Sequence, residues 1–261
     1  MKIGVNMDFY QGLSDDEQIS LMKQNGFTST FFFSNIEALD ERVVKLRRAG
    51  IEIDFLHAPY RGINGLWLEG EMGEIMLETL IENLENCKRN GVDAMVFHLS
   101  SGDHAPGVSD VGFSRLDRFM EHARRIGVTP IYENQRKLGA IACAFERYHD
   151  AVFCWDVGHE ACLAYGKPYM PLFGEHIVAL HLHDNFCVHD GDIHLIPYDG
   201  SIDMERAAKT LANSRYNGPV MLELHGAKTN YPTLSPAQCY ERAANAARKF
   251  ASRIKFYRSE I

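Results

Sequence analysis

Short apolar runs alternate along this chain with longer stretches whose apolar residues recur every three or four positions. These are the signatures of a buried strand and of a helix packed on one face. The runs are Lys2–Met7, Thr28–Ser34, Ile51–His57, Asp93–Leu99, Thr129–Glu133, Val152–Asp156, Ile177–His183 and Gly218–His225. Between and after them the pattern predicts helices over Ser14–Asn25, Ile36–Ala49, about Gly73–Asn90, around Ser114–Ile126, Leu138–Tyr148, a short one before His176, Met204–Ser214 and Pro236–Ile254. Ser14 opens the first helix with Asp15, Asp16 and Glu17 in its first turn, the second ends in Lys45, Arg47 and Arg48, and Gly26, Gly50, Gly91 and Gly127 stop four of them. Eight strand–helix units at roughly thirty-residue spacing are the number a closed parallel (β/α)8 barrel needs. No Pro/Ser-rich linker divides residues 1–261, so one domain is expected, and no GxGxxG follows the first strand to suggest an open dinucleotide-binding sheet.

The stretch Val178–Asp203 stands apart. Val178, Leu180 and Leu182 share one strand face, and Ala179, His181 and His183 the other, so an apolar packed face is backed by imidazoles turned towards something polar. The strand runs into a loop dense in Asp and His (Asp184, His189, Asp190, Asp192, His194), closed by Gly200. A lone His on a loop is most often exposed or structural. So many side chains able to ligate a metal, on a strand end and the loop after it, point to a site.

Active sites of such barrels lie at the C-terminal ends of the strands. Those ends carry His57, His98, Glu133, Asp156 with His159 just beyond, His181 and His183, and Glu223 with His225. Glu133, Asp156 and Glu223 would converge on a narrow mouth, where like charges raise one another's pKa and destabilise the fold unless a cation balances them. Carboxylates with an imidazole suit one divalent metal ion, Mn²⁺, Mg²⁺ or Co²⁺, with Zn²⁺ also open. No cysteine occupies these positions, which argues against a thiolate zinc site.

Composition narrows the partners. A net charge of −8 with acids and bases mixed disfavours nucleic acid, whose backbone rewards basic surfaces. Six cysteines without CxxC pairs read as small apolar residues in a reduced compartment. The opening MKIGVNMDFY is strand-like and lacks the apolar core of a signal peptide, and no run reaches membrane-spanning length. A soluble cytoplasmic protein acting on a small molecule is expected, with no membrane partner and with self-association into a homo-oligomer left open.

The motifs HAPY at His57–Tyr60, FHLS around His98, YEN around Glu133, CWDVGH at Cys154–His159, HLHDN at His181–Asn185, DIH at Asp192–His194 and LELHG around Glu223 run through most of the chain. Together they resemble the xylose isomerase-like TIM barrel superfamily, which contains sugar isomerases, 3-epimerases of the tagatose and psicose type, hydroxypyruvate isomerase and endonuclease IV. The resemblance implies one metal ion on Glu133, Asp156, His181 and Glu223, with Glu133 and Glu223 doubling as acid and base and His159 orienting the substrate. His57, His98, Asp192 and His194 are then expected around the substrate, and Trp67, with Tyr60 and Arg61, in a lid over a sugar. The three-zinc pattern of endonuclease IV also finds candidates at His57, His98, His159, Asp192 and His194. The acidic charge and the lack of an Arg/Lys cluster in the loops favour the sugar enzymes. The expected activity is isomerisation or epimerisation of a small ketose or related hydroxy-carbonyl compound through a metal-stabilised enediolate, the alternative being an endonuclease IV-like zinc phosphodiesterase.

Overall fold

A computed structural model describes residues 1–260. Eight strands, β1 (Ile3–Val5), β2 (Ser29–Phe33), β3 (Glu52–His57), β4 (Ala94–Phe97), β5 (Thr129–Glu133), β6 (Val152–Asp156), β7 (Ile177–His181) and β8 (Val220–Leu222), pair in parallel in the order β7-β6-β5-β4-β3-β2-β1-β8. The ring closes where the Leu182 N–H donates to the Met221 carbonyl at 2.9 Å and the Glu223 N–H to the Leu182 carbonyl at 3.2 Å. This is the (β/α)8 barrel that the alternation of periods predicts. Strands β5 and β6 coincide with their apolar runs, and the other six are shorter than theirs.

The outer layer is α1 (Asp15–Gln24), α2 (Leu39–Arg48), α3 (Glu71–Arg89), α4 (Asp110–Ile126), α5 (Leu138–Arg147), α6 (Val157–Cys162), α7 (Met170–Phe173), α8 (Met204–Ala212), α9 (Ala227–Asn230) and α10 (Pro236–Arg258). Ser14 and Ser235 form full capping boxes with Glu17 and Gln238. The stretch before His176, expected to hold one short helix, holds α6 and α7. Among the described residues no helix is long and apolar enough to cross a membrane.

Two apolar layers result. Outward-facing strand residues such as Leu180 and Leu182 pack under the helices, whereas Phe31, Phe55, Val96, Ile131, Ala179 and Met221 fill the lumen. Val178, expected on the packed face, is the second residue of β7 and is 48% exposed. At Gly4 an added Cβ would lie 2.7 Å from the Met221 side chain and 2.9 Å from the Ser29 carbonyl, so the missing side chain makes room for the lumen layer. The loops at the C-terminal end are the long ones, above all residues 58–70 after β3 and 182–203 after β7. The first is anchored by buried Arg115, whose guanidinium donates to the carbonyls of Leu66 (3.0 Å), Leu68 (2.6 Å) and Gly70 (3.1 Å).

The other end of the barrel carries a titrating group. Burial pushes the Asp54 carboxyl up to about 6, opposed by the Ser29 hydroxyl that donates to it at 2.5 Å, supported by Glu52 and opposed by Lys2. A folded pKa above the unfolded value of about 3.9 means that the fold holds this proton more tightly. The contribution is therefore complete below pH ~4 and is lost as pH rises through about 6. Asp54→Asn should flatten that part of the stability curve and raise Tm relative to wild type at pH 7, measured by thermal unfolding across pH 4–8; an unchanged pH profile would overturn the assignment.

Candidate metal centre at the barrel mouth

Strand ends deliver the site. Glu133, Asp156 and His181 are the last residues of β5, β6 and β7, and Glu223 follows β8 directly. His57 ends β3 and His98 follows β4. The Asp-x-x-His spacing has a structural cause: Asp156 N-caps α6, its Oδ1 accepting the His159 N–H at 2.6 Å, and the His159 ring folds back to within 3.5 Å of Asp156 Oδ2.

At the centre stands His181, its ring stacked on Phe31 at 4.6 Å. Its Nδ1 lies 3.4 Å from Glu133 Oε1, 3.7 Å from Asp156 Oδ2 and 3.2 Å from Glu223 Oε2. One donor atom from each of these four buried residues falls within 4.8 Å of the others. Yet His181 Nδ1, Asp156 Oδ2 and Glu223 Oε2 are buried without a hydrogen bond. Orphaned buried acceptors cost of order 1–3 kcal/mol each, more when charged, and a divalent cation held by three oxygens and an imidazole nitrogen satisfies them together. The donor set fits the group.

Two further groups flank this set. His57 Nε2 and His98 Nε2 each lie 3.0 Å from Glu133 Oε2. His57 Nδ1 is 2.7 Å from the Ala58 carbonyl, and with Nδ1–H donating there the Nε2 atom faces the carboxylate. On the other side, His159 Nε2 lies 3.2 Å from Asp192 Oδ2, His183 Nε2 3.2 Å from Asp156 Oδ1, and His194 Nε2 3.3 Å from Asp192 Oδ1. His183 and His194 stack at 3.9 Å. Both groups also meet the spacing of a metal site.

Burial and mutual attraction oppose each other among these carboxylates and imidazoles. Burial raises the pKa of Glu133, but His98, His181 and His159 outweigh it and hold the carboxylate well below its usual range; at Glu223, His181, His225 and His194 do the same against burial. His181 and His159 lie well above the ordinary imidazole value although burial opposes it, through Cys154, Glu223 and Glu133 at the first and Asp156, Asp192 and Glu133 at the second. His98 is lowered by burial.

Among the residues singled out from the sequence, Glu133, Asp156, His181 and Glu223 form the centre, and His57, His98, His159, Asp192 and His194 line a mouth cavity of about 380 Å³. Trp67 is not there. It is 2% exposed, donates its indole N–H to the Leu99 carbonyl at 2.6 Å, and packs on Phe113 and against Gly112, where a Cβ would meet its ring at 2.2 Å. Trp67 anchors the β3–α3 loop, and Tyr60, stacked on His98, is the aromatic residue above the mouth. The Asp/His loop is likewise divided. His189 stacks on Tyr165 at the rim and Asp190 pairs with Arg136, while Asp192 and His194 reach inward.

Sequence reasoning leaves two residues without their roles. Gln135 Nε2 reaches His159 Nδ1 at 2.9 Å and His98 Nε2 at 3.1 Å, joining the two flanking groups. Asp184 is fully buried and faces no ligand: Oδ1 accepts the N–H of Asn185 (2.8 Å) and Ile202 (3.0 Å), Oδ2 those of Tyr198 (2.9 Å) and Gly200 (3.0 Å). It folds the loop that carries Asp192 and His194. Its adjacency to the HxH pair is the available signal, and by composition alone it reads as ligand chemistry.

The sequence model described as "Xylose isomerase-like TIM barrel" matches residues 19–252. The uncharacterized protein y4fM of Sinorhizobium fredii is 31% identical over 137 residues, 51% of this chain and 42% of that protein, so the match spans under half of the relative's length. D-psicose 3-epimerase from Clostridium cellulolyticum H10, solved with D-tagatose, superposes with a TM-score of 0.76 at 13% identity over 97% of this chain and 99% of its own. The TTHB071 protein from Thermus thermophilus, from a crystal soaked with ZnCl2, superposes at 0.66 with 17% identity over 100% and 99% of the two chains.

His181→Ala should lose the cation from the four-donor set, measured by metal content after dialysis, whereas His183→Ala should retain it; the opposite pattern would move the centre to the His183 group. Asp184→Asn leaves two backbone N–H groups facing an amide N–H₂ and should destabilise the fold by roughly 2–5 kcal/mol in denaturant titration. A loss under about 0.5 kcal/mol would show the clamp to be dispensable.

Proposed function

The chain belongs to the xylose isomerase-like TIM barrel family, and we propose that it is a divalent-metal-dependent isomerase or epimerase of a small hydroxy-carbonyl compound, a ketose or close relative. One observation carries this reading: Glu133 and Glu223, from the fifth and eighth strands, flank the same point, 3.4 and 3.2 Å from His181 Nδ1, at the floor of an enclosed mouth. In this reading one carboxylate serves each face of a substrate carbon held there. Solved structures named as sugar 3-epimerases share the fold over nearly the whole chain, which supports the same class.

Glu133, Asp156, His181 and Glu223 would hold one ion of Mn²⁺, Mg²⁺, Co²⁺ or Zn²⁺. When bound, the ion supplies Lewis-acid stabilisation of negative charge developing on the substrate's carbonyl oxygen. One glutamate, ionised, takes the proton from the carbon beside the carbonyl; the other, protonated from solvent beforehand, returns one, on the opposite face for epimerisation. Their histidine neighbours favour the ionised form of both, so either can be the group that accepts the proton. His159, braced by Asp192 and Gln135, and His194 are positioned to bind substrate hydroxyl groups. Tyr60 covers the mouth and limits water.

A second reading, phosphodiester hydrolysis at a three-metal centre, is favoured by one observation, the two flanking ligand groups. Metal stoichiometry separates them. One tightly held ion per chain is expected for the isomerase, and three would favour the hydrolase.

Glu133→Gln and Glu223→Gln should each keep part of the metal affinity and lose roughly a hundredfold or more in turnover, the scale of a missing general base. In wild type, deuterium on the carbon beside the carbonyl should wash out into solvent during turnover. A variant that exchanges without forming product identifies the other residue as the base. Full retention of deuterium in the product of active wild type would replace proton transfer by a hydride shift.

A further inference from the structure

Two cavities share a wall at the barrel mouth. The inner one, over the proposed metal centre, is bounded on one side by Phe33, Tyr60 and Ser101. The same three residues bound an outer cavity of about 580 Å³, whose wall continues through Asn35, Arg61 and Asn64. Tyr60 is the ridge between them: its ring stacks on His98 at 4.9 Å and meets Phe33 at 6.3 Å, while the residue remains 45% exposed. A small neutral ketose over the centre would leave the outer cavity unused.

Charge is segregated between the two. The carboxylates of Asp192 and Glu223 line the inner cavity, over buried Glu133 and Asp156. The outer wall contains no carboxylate, and its one formal charge is Arg61. Elsewhere on this surface arginines are typically paired: Arg42 with Asp8 and Asp15, Arg124 with Asp150, Arg147 with Asp117, and Arg136 at the mouth's rim with Asp103 and Asp190. Arg61 is exposed and makes no ion pair or hydrogen bond among the described residues. Its segment is nonetheless held in place, since Asn64 Nδ2 donates to the Ser101 carbonyl at 2.7 Å and Asn64 Oδ1 accepts the Ser101 N–H at 2.9 Å. A free guanidinium on an anchored loop, lining a cavity that shares a wall with the site, is arranged for a planar or tetrahedral oxyanion, which its fork of donors matches.

Resting on the isomerase or epimerase reading, we propose that the substrate carries an anionic group, phosphate or carboxylate, at the end remote from its reacting carbon, seated in the outer cavity against Arg61. Tyr60 lies over the chain that joins the two ends. The inner cavity then selects the hydroxy-carbonyl end and the outer cavity selects charge, so the specificity of the site resides in a loop residue that takes no part in the chemistry.

Unreactive probes test this without turnover. Metal-loaded wild type is titrated in a calorimeter with a pentitol, its terminal phosphate and the matching pentonate, and Arg61→Gln is titrated with the same three. Wild type should bind at least one anionic probe about tenfold or more tightly than the pentitol, and the probe preferred tells phosphate from carboxylate. In Arg61→Gln that preference should vanish, while Arg61→Lys restores part of it. Equal binding of all three by wild type, or an undiminished preference in Arg61→Gln, overturns the inference and leaves the isomerase reading standing. Failure of all three to bind, the pentitol included, sinks both.

Discussion

Three carboxylates with oxygens a few ångström apart at the floor of a barrel mouth set the terms for everything around them. Glu133, Asp156 and Glu223 are buried, and in a low-dielectric setting their mutual repulsion would push protons on or the fold apart. The surroundings answer with imidazoles: His181 at the centre, His57 and His98 on one side, His159, His183 and His194 on the other. That balance leaves Asp156 Oδ2, His181 Nδ1 and Glu223 Oε2 without hydrogen bonds. A protein built only for stability would pair or remove them. Retaining them is consistent with a cation as the missing partner, and with groups kept ionised for proton transfer.

Strain follows from the same demand. Within the loop after β7, Cys187, Asp190, His194 and Tyr198 all have positive φ, a conformation that costs non-glycine residues of order 1 kcal/mol each. The loop must double back so that Asp192 and His194 face His159 and Glu223, and an ordinary turn does not place them there. The Asp184 carboxylate, accepting four backbone N–H groups, offsets that strain. Gly200 is tied to the same device, because a Cβ there would lie 2.4 Å from Asp184 Oδ1 and from the Asn185 carbonyl. Gly158 plays a parallel part in the first turn of α6, where a Cβ would fall inside the His183 ring.

The barrel itself is indifferent to chemistry. Its lumen, filled by Phe31, Phe55, Ile131 and Met221, is a packed plug that fixes where strands end, and the plug lies directly under His181 through its contact with Phe31. Substrate identity is left to the loops. The β3–α3 arm, anchored through Arg115, Trp67 and the Asn64–Ser101 pair, presents Tyr60 and Arg61 on a firm base. In the proposed function, rigid strand ends serve the reaction and anchored loops serve selection, so one can vary without disturbing the other.

The sequence by itself determined the eightfold alternation of strand and helix, the caps that start and stop the helices, and the residues that stand at each strand's C-terminal end. These are local properties: hydrophobic period, a Ser three residues before a Glu, an apolar run ending in Glu or His. Because a closed parallel barrel brings all its strand ends to one mouth, the local pattern was enough to bring Glu133, Asp156 and Glu223 together among histidines; choosing His181 as their partner took the family resemblance. What it could not separate was side chains of one chemistry with different burial. Trp67 reads as a lid and is a loop anchor, Asp184 reads as a ligand and is a backbone clamp, and His183 reads as sharing a face with His181 and joins Asp192 and His194. In each case the decision lies in contacts between segments far apart in the chain, Trp67 with Leu99 and Gly112, Asp184 with Tyr198 and Ile202, His183 with Gly158. Period and composition carry no information about those distances, and only the packed tertiary structure assigns them.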